Sequence, residues 1–145
     1  MSSFKIFDTA GSGLSAESVR LNTVASNLAN ADTVSGDPNS IYKARHPVFR
    51  AVQQKLQAGM DASGVDAASS STVQVTGVVE SQTPGQTRYD PGNPLADANG
   101  NVYASNVNVI EEMTDMISAS RAYQNDVEVM NTSKDLMLAT LKLGA

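Results

Sequence analysis

Apolar residues recur every seven positions at both ends of this 145-residue chain, and the long middle lacks the pattern. At the start the row is Phe7, Leu14, Leu21 and Leu28. Ala10, Val24 and Ala31 fill a companion row, with Glu17 as its exception. At the end the row is Val109, Met116, Tyr123, Met130 and Met137. Met113, Val127 and Leu141 lie beside it, interrupted by Ser120 and Lys134, and Ile110 and Ile117 widen the first turns. Such spacing lines one stripe of a helix, so each end predicts a long amphipathic helix. Asn108 followed by Glu111 fits a helix start, and Gly144 fits a stop. A helix from 109 to 143 runs about 50 Å, and the first one roughly 40 Å. Gly11 and Gly13 each cost the first helix about 1 kcal/mol relative to alanine. An isolated segment of that kind is marginal in water, so it needs a partner to stay helical.

The other end supplies that partner. The fold class this predicts is mainly α with a small β insert. The terminal helices pair as an antiparallel coiled coil, and a β-rich, loop-rich middle joins them. The helical part takes residues 1–33 and 106–145, and the insert takes 34–105. One seam between two helices leaves apolar flank uncovered, which marks an interaction face. The periodicity is equally compatible with a compact helical domain that buries every face.

Residues 30–40 are rich in Asn, Asp, Ser, Gly and Pro and read as loop. The stretch from Tyr42 to Leu56, around Pro47, Val48, Phe49 and Val52, is compatible with helix or strand. Residues 57–72 are mostly Ala, Ser, Gly and Asp and read as a flexible loop. Val73 to Val79 alternates and is β-branched, which predicts a strand. Thr87–Tyr89 is placed to pair with Asn101–Tyr103, across turn signals at Asp90–Pro94 and Asn99–Gly100.

Composition removes several function classes. Ten basic and fifteen acidic residues give a net charge of -5, with no basic surplus for nucleic acid. There is no cysteine, hence no disulfide and no thiolate metal site. With no Trp, and aromatics at 5% of the chain, any internal core is thin. The first ten residues hold no apolar run of the length a secretory signal needs, and Leu136–Leu141 is too short to span a bilayer. On these grounds alone the chain reads as soluble and cytoplasmic.

No constellation of side chains points to catalysis or to a cofactor. His46 is the single histidine, which rules out a triad built with a second one. Gly11-Ser12-Gly13 is not a nucleophile elbow and follows no strand. Asp97-Ala98-Asn99-Gly100-Asn101 resembles half of a calcium loop, but Asn108 stands where the bidentate glutamate is needed. A hairpin turn explains the same residues better. Glu111, Glu112 and Asp115 sit in the first turns of the last helix and complement its dipole.

Two segments resemble a known family. Ala25-Ser26-Asn27-Leu28-Ala29-Asn30-Ala31-Asp32-Thr33, after a heptad helix, resembles the N-terminal signature of flagellar rod and hook proteins, with Asn27, Leu28, Asn30 and Thr33 as its core. The second run is from Tyr89-Asp90-Pro91-Gly92-Asn93-Pro94 through Asn106-Val107-Asn108-Val109, Glu111-Glu112-Met113 and Ser118–Gln124 to Met130-Asn131. It closely resembles the C-terminal part of a proximal-rod member of that family.

The resemblance implies a structural subunit of the flagellar basal body. Such a subunit is exported through the flagellar type III apparatus without a cleaved signal, and it assembles in the periplasmic rod. Its partners are other rod subunits, the small adaptor joining rod to ring, and further copies of itself, with no membrane span and no cofactor. Assembly then falls on the helix stripes: Phe7, Leu14, Leu21, Val24 and Leu28 on one side. On the other side stand Val109, Met113, Met116, Tyr123, Val127, Met130, Met137 and Leu141. Asn27 and Asn30 would bond frayed carbonyls at the helix end or a neighbouring chain, and Asp32 and Thr33 would fix the exit turn. A different rod or hook-junction subunit and a monomeric cytoplasmic helical binding module are the alternatives.

Overall fold

A computed structural model describes residues 2–54 and 70–143. Helix α1 spans Ser2–Ala29 and helix α2 spans Val109–Leu143. Between them lie strands β1 (Val34–Ser35), β2 (Arg45–Gln54), β3 (Ser70–Glu80), β4 (Thr87–Tyr89) and β5 (Asn101–Ala104). Both helices thus lie where the heptads predict them. Asn108 caps α2, its Oδ1 accepting the Ile110 N–H at 3.1 Å. Gly144, expected as the stop of α2, lies outside the described residues.

The helices lie side by side and antiparallel. Asn27 meets Glu112, Arg20 meets Asp115, and Gly13 lies under Asp126, so numbers fall along α1 as they rise along α2. The approach is close. A Cβ on Gly13 would stand 2.5 Å from the Asp126 Oδ2. Alanines stand along the contact too, with Ala10, Ala16 and Ala119 buried.

The middle holds two separate sheets. In one, β2 and β3 form a long antiparallel hairpin. The stretch around Pro47, compatible with either type from sequence, is therefore a strand. Pro47 is tolerated there because each strand of a two-stranded sheet has a free edge, where a missing N–H costs no ladder bond. Val48 pairs with Gly77 and Phe49 with Val75, leaving Thr76 as the extra residue of a bulge. The Thr76 hydroxyl donates to the Val48 carbonyl at 3.1 Å. The loop expected over 57–72 needs correcting at its end: β3 begins at Ser70, because Thr72 and its neighbours pair with Val52 and beyond. Residues 57–69 of that expectation lie outside the described residues.

The hairpin lies along α1. At its far end the Thr9 hydroxyl donates to the Ser71 carbonyl, and the Ser12 hydroxyl accepts the Val73 N–H. At its near end Asn27 holds Arg45. α1 is therefore covered by α2 on one side and by β2 and β3 on another.

The second sheet has the order β1-β5-β4, all antiparallel. Thr87, Arg88 and Tyr89 pair with Tyr103, Val102 and Asn101, as the sequence predicts. Gly100 takes a φ of 81°, a conformation that favours glycine. The Asp97 carboxylate holds the turn. Its Oδ1 accepts the N–H groups of Asn99 and Asn101, both at 2.8 Å, and its Oδ2 accepts the Tyr103 hydroxyl. The Asn101 N–H, foremost, lowers the Asp97 pKa below its ordinary value. The residues that suggested half a calcium loop thus satisfy one another within a turn.

The buried apolar side chains are small: Ala10, Ala16, Val24, Ala44, Val102 and Ala119. The core is thin, as the scarcity of aromatic residues predicts.

Candidate assembly site and the clasp that frames it

Among the described residues, the polar site with the most internal bonds is built on Asn27. This residue stands in the last turn of α1, which ends at Ala29, and it meets both β2 and α2. Asn27 is fully buried. Its Nδ2 donates to the Arg45 carbonyl at 2.8 Å and to the Glu112 Oε1 at 2.9 Å. Its Oδ1 accepts the Arg45 N–H at 2.9 Å and the Tyr42 hydroxyl at 3.0 Å. These partners fix which end of the amide is oxygen, since two donors face one side and two acceptors the other. Because the Tyr42 proton goes to Asn27, the Ser26 hydroxyl donates to Tyr42 at 3.1 Å.

Asn27 therefore pairs with both backbone groups of Arg45, as a neighbouring strand would, while holding α2. Of the two roles expected for this amide, helix-end carbonyls or a neighbouring chain, Asn27 takes neither here: its four bonds go to Arg45, Tyr42 and Glu112. Asn30 and Thr33 do serve the helix end. The Asn30 Nδ2 donates to the Ser26 carbonyl, and the Thr33 hydroxyl donates to the Asn30 carbonyl. Asn106 is a second clip, accepting the Ala44 N–H and donating to the Thr83 carbonyl.

Glu112 departs from its expected role at the helix dipole. It is buried, with Oε1 on Asn27 and Oε2 without a hydrogen-bond partner. Burial, foremost, pushes its pKa up, and the Asn27 bond and the charge of His46 oppose that. Asp115, in the next turn, pairs with Arg20 at 2.9 Å. Sequence periodicity missed this cluster because charged residues in a first turn are ordinarily solvated. The signal available was the seven-residue row Glu112, Ala119, Asp126 and Ser133, which is small or polar throughout.

That row is the one α2 turns toward α1, with Glu112 and Ala119 buried. Met116, Met130 and Met137 flank it, half-buried. Val109, Met113, Tyr123, Val127 and Leu141 are exposed, Leu141 at 67%. On α1, Val24 is buried and Phe7, Leu14, Leu21 and Leu28 are half-buried. Ile110 and Ile117 are exposed at 77% and 54%, so α2 presents an apolar outer face.

The two helices coincide with two family matches. Residues 7–36 match the family described as flagella basal body rod protein, and residues 98–143 match the C-terminal family of the flagellar basal body rod FlgEFG proteins. Along its length the chain is 50% identical over 144 residues to the flagellar basal-body rod protein FlgC of Salmonella typhimurium, covering 99% of each. The chain belongs to the FlgC family of flagellar basal-body rod proteins. FlgC of Yersinia enterocolitica is 49% identical over 144 residues, and that of Buchnera aphidicola from Schizaphis graminum is 36% identical over 148, each with 99% of both chains covered. As a FlgC-family member the chain is a structural rod subunit of the flagellar basal body. No helix among the described residues is long and apolar enough to cross a membrane.

Proposed function

We propose that the chain is a proximal-rod subunit that polymerises into the axial drive shaft and transmits torque. The observation that supports this most is the full-length 50% identity to a FlgC. The architecture suits the task. Two helices of 28 and 35 residues lie along one another, and a hairpin lies along the first. The Asn27 clasp ties all three at one end, which resists their sliding under load.

The exposed side of α2 is the surface for neighbouring subunits. Val109, Met113, Val127 and Leu141 contribute to it, and coiled-coil packing with neighbouring chains forms there. Partners are other rod subunits, the rod-to-ring adaptor and further copies of the chain. The chain reaches the periplasm through the flagellar type III apparatus without a cleaved signal, its thin core being easy to keep unfolded in a narrow channel.

Deletion of the gene in its own bacterium tests the reading. Loss of swimming, with basal bodies stopped at the membrane ring and lacking a rod, is the expected result. Intact rods and normal swimming would overturn it.

A further inference from the structure

A groove of about 800 Å³ opens between the first half of α1, the far half of the hairpin and the middle of α2. Ile6 and Ala10 line it from α1, Phe49 and Val73 from the hairpin, and Val129 from α2. Two carboxylates stand in its wall. Glu17 has a buried Oε2 that makes a long ion pair with Arg20 at 3.8 Å and no hydrogen bond. Asp126 makes no ion pair with the described residues. The groove is thus apolar with acidic edges, and Lys5 also lines it.

The last turns of α2 carry the complementary chemistry. Leu138 and Leu141 are exposed at 47% and 67%, and Lys134 and Lys142 are exposed beside them. At 3.6 residues per turn, these four fall within about 100° of one another on the helix. The groove-lining residues Ala122, Asp126 and Val129 lie roughly 110° to 170° from the centre of that stripe. The stripe therefore faces away from the groove of its own chain, but it can reach another's.

The geometry points to the C-terminal turns of α2 from a second copy of this chain as the occupant of the groove. Leu138 and Leu141 enter among Phe49, Val73 and Val129, and Lys134 and Lys142 approach Glu17 and Asp126. Groove and stripe are different surfaces of one chain, so the contact is head-to-tail. Such contacts close into a ring or propagate as a helix, the two forms open to a rod subunit. The inference rests on the rod reading and names the surfaces that reading uses.

The chain has no cysteine, so introduced ones are unique. Cells would produce two single-cysteine variants together, Leu141→Cys and Val73→Cys, and isolated basal bodies would be oxidised and run without reductant. A band at twice the chain mass, needing both variants and stronger than that from Ile110→Cys with Val73→Cys, is expected. An equal or stronger band from the Ile110 pair overturns the choice of stripe. No band with both variants present in basal bodies overturns the contact and leaves the rod reading standing. A Val73→Cys adduct to a different protein overturns the second copy as occupant.

Purified chain gives an independent readout. Leu138→Ser with Leu141→Ser is expected to abolish concentration-dependent self-association in sedimentation while helix content stays unchanged. Self-association equal to that of the unsubstituted chain, or none in the unsubstituted chain at the highest soluble concentration, counts against the contact.

Discussion

The two ends of the helix pair are finished differently. At the Asn27 end, four hydrogen bonds from one amide join α1, α2 and β2, and Arg20 pairs with Asp115 in the adjoining turn. At the other end stand Gly13 against Asp126, two bonds from α1 to β3, and an open groove, with exposed leucines on the opposite side of α2. One end is closed by bonds within the chain, the Glu112 Oε2 apart. The other end leaves apolar surface exposed among the described residues. Polar groups satisfied within the chain tie the elements together at one end, and exposed apolar surface of the kind that marks interaction sites is left at the other.

The largest effect that tests this contrast comes from Asn27→Ala. It strands the buried Glu112 carboxylate and takes the side-chain partner from both part-buried backbone groups of Arg45, while Tyr42 keeps only Ser26. Each unsatisfied buried group costs about 1–3 kcal/mol, so a loss of about 3 kcal/mol or more is expected from urea unfolding. Asn27→Asp fares no better, since it removes both donors and sets a second carboxylate against Glu112. A loss under about 1 kcal/mol would mean that the clasp is not what holds this end together.

The helices were legible because a seven-residue repeat needs no tertiary context, and Asn108 marks the start of α2. The β4–β5 pairing was legible because Asn99–Gly100 demands a turn. Two features were not. The stretch around Pro47 is short and apolar, with no period to separate strand from helix until β3 pairs with it. The side of α1 that meets the hairpin carries the polar residues Thr9, Ser12 and Asn27, which no apolar period marks. Polar groups can cover a helix as well as apolar ones when each finds a partner, and such partners lie far away in sequence. The same reason hid Glu112. The rod-family segments were visible, but Asn27's use as an internal clasp was not, because Arg45 and Tyr42 are separated from it by a loop.

The far end is probed by its two glycines. Nothing lies within 4 Å of a Cβ placed on Gly11, whereas one on Gly13 meets Asp126. Gly11→Ala should therefore gain about 1 kcal/mol from helix propensity alone. Gly13→Ala should gain less, because the Asp126 carboxylate has to shift, and Gly13→Leu should lose about 1–3 kcal/mol by overpacking. Thermal unfolding of the three variants ranks them. Equal gains from both alanines would show that the helices do not need Gly13 in order to approach.

The smallest effect expected is a slope with pH. Burial holds the Glu112 pKa above its ordinary value of 4.5. A group raised in the folded state contributes its stability fully below the unfolded value and loses it as pH rises through the folded value. Asp97 works the other way: lowered from 3.8, it contributes above the unfolded value and loses that contribution as pH falls. The two windows lie on opposite sides of about pH 4, with the Glu112 contribution on the alkaline side. The charged groups that reach Glu112 there are His46 on β2 and Glu111 and Asp115 on α2. Stability of the unsubstituted chain should fall as pH rises through the Glu112 window, and Glu112→Gln should flatten the fall while keeping an acceptor for Asn27. Denaturant midpoints at several pH values measure both. An unchanged slope in Glu112→Gln would assign the pH dependence to another group and leave the clasp as a purely hydrogen-bonded joint.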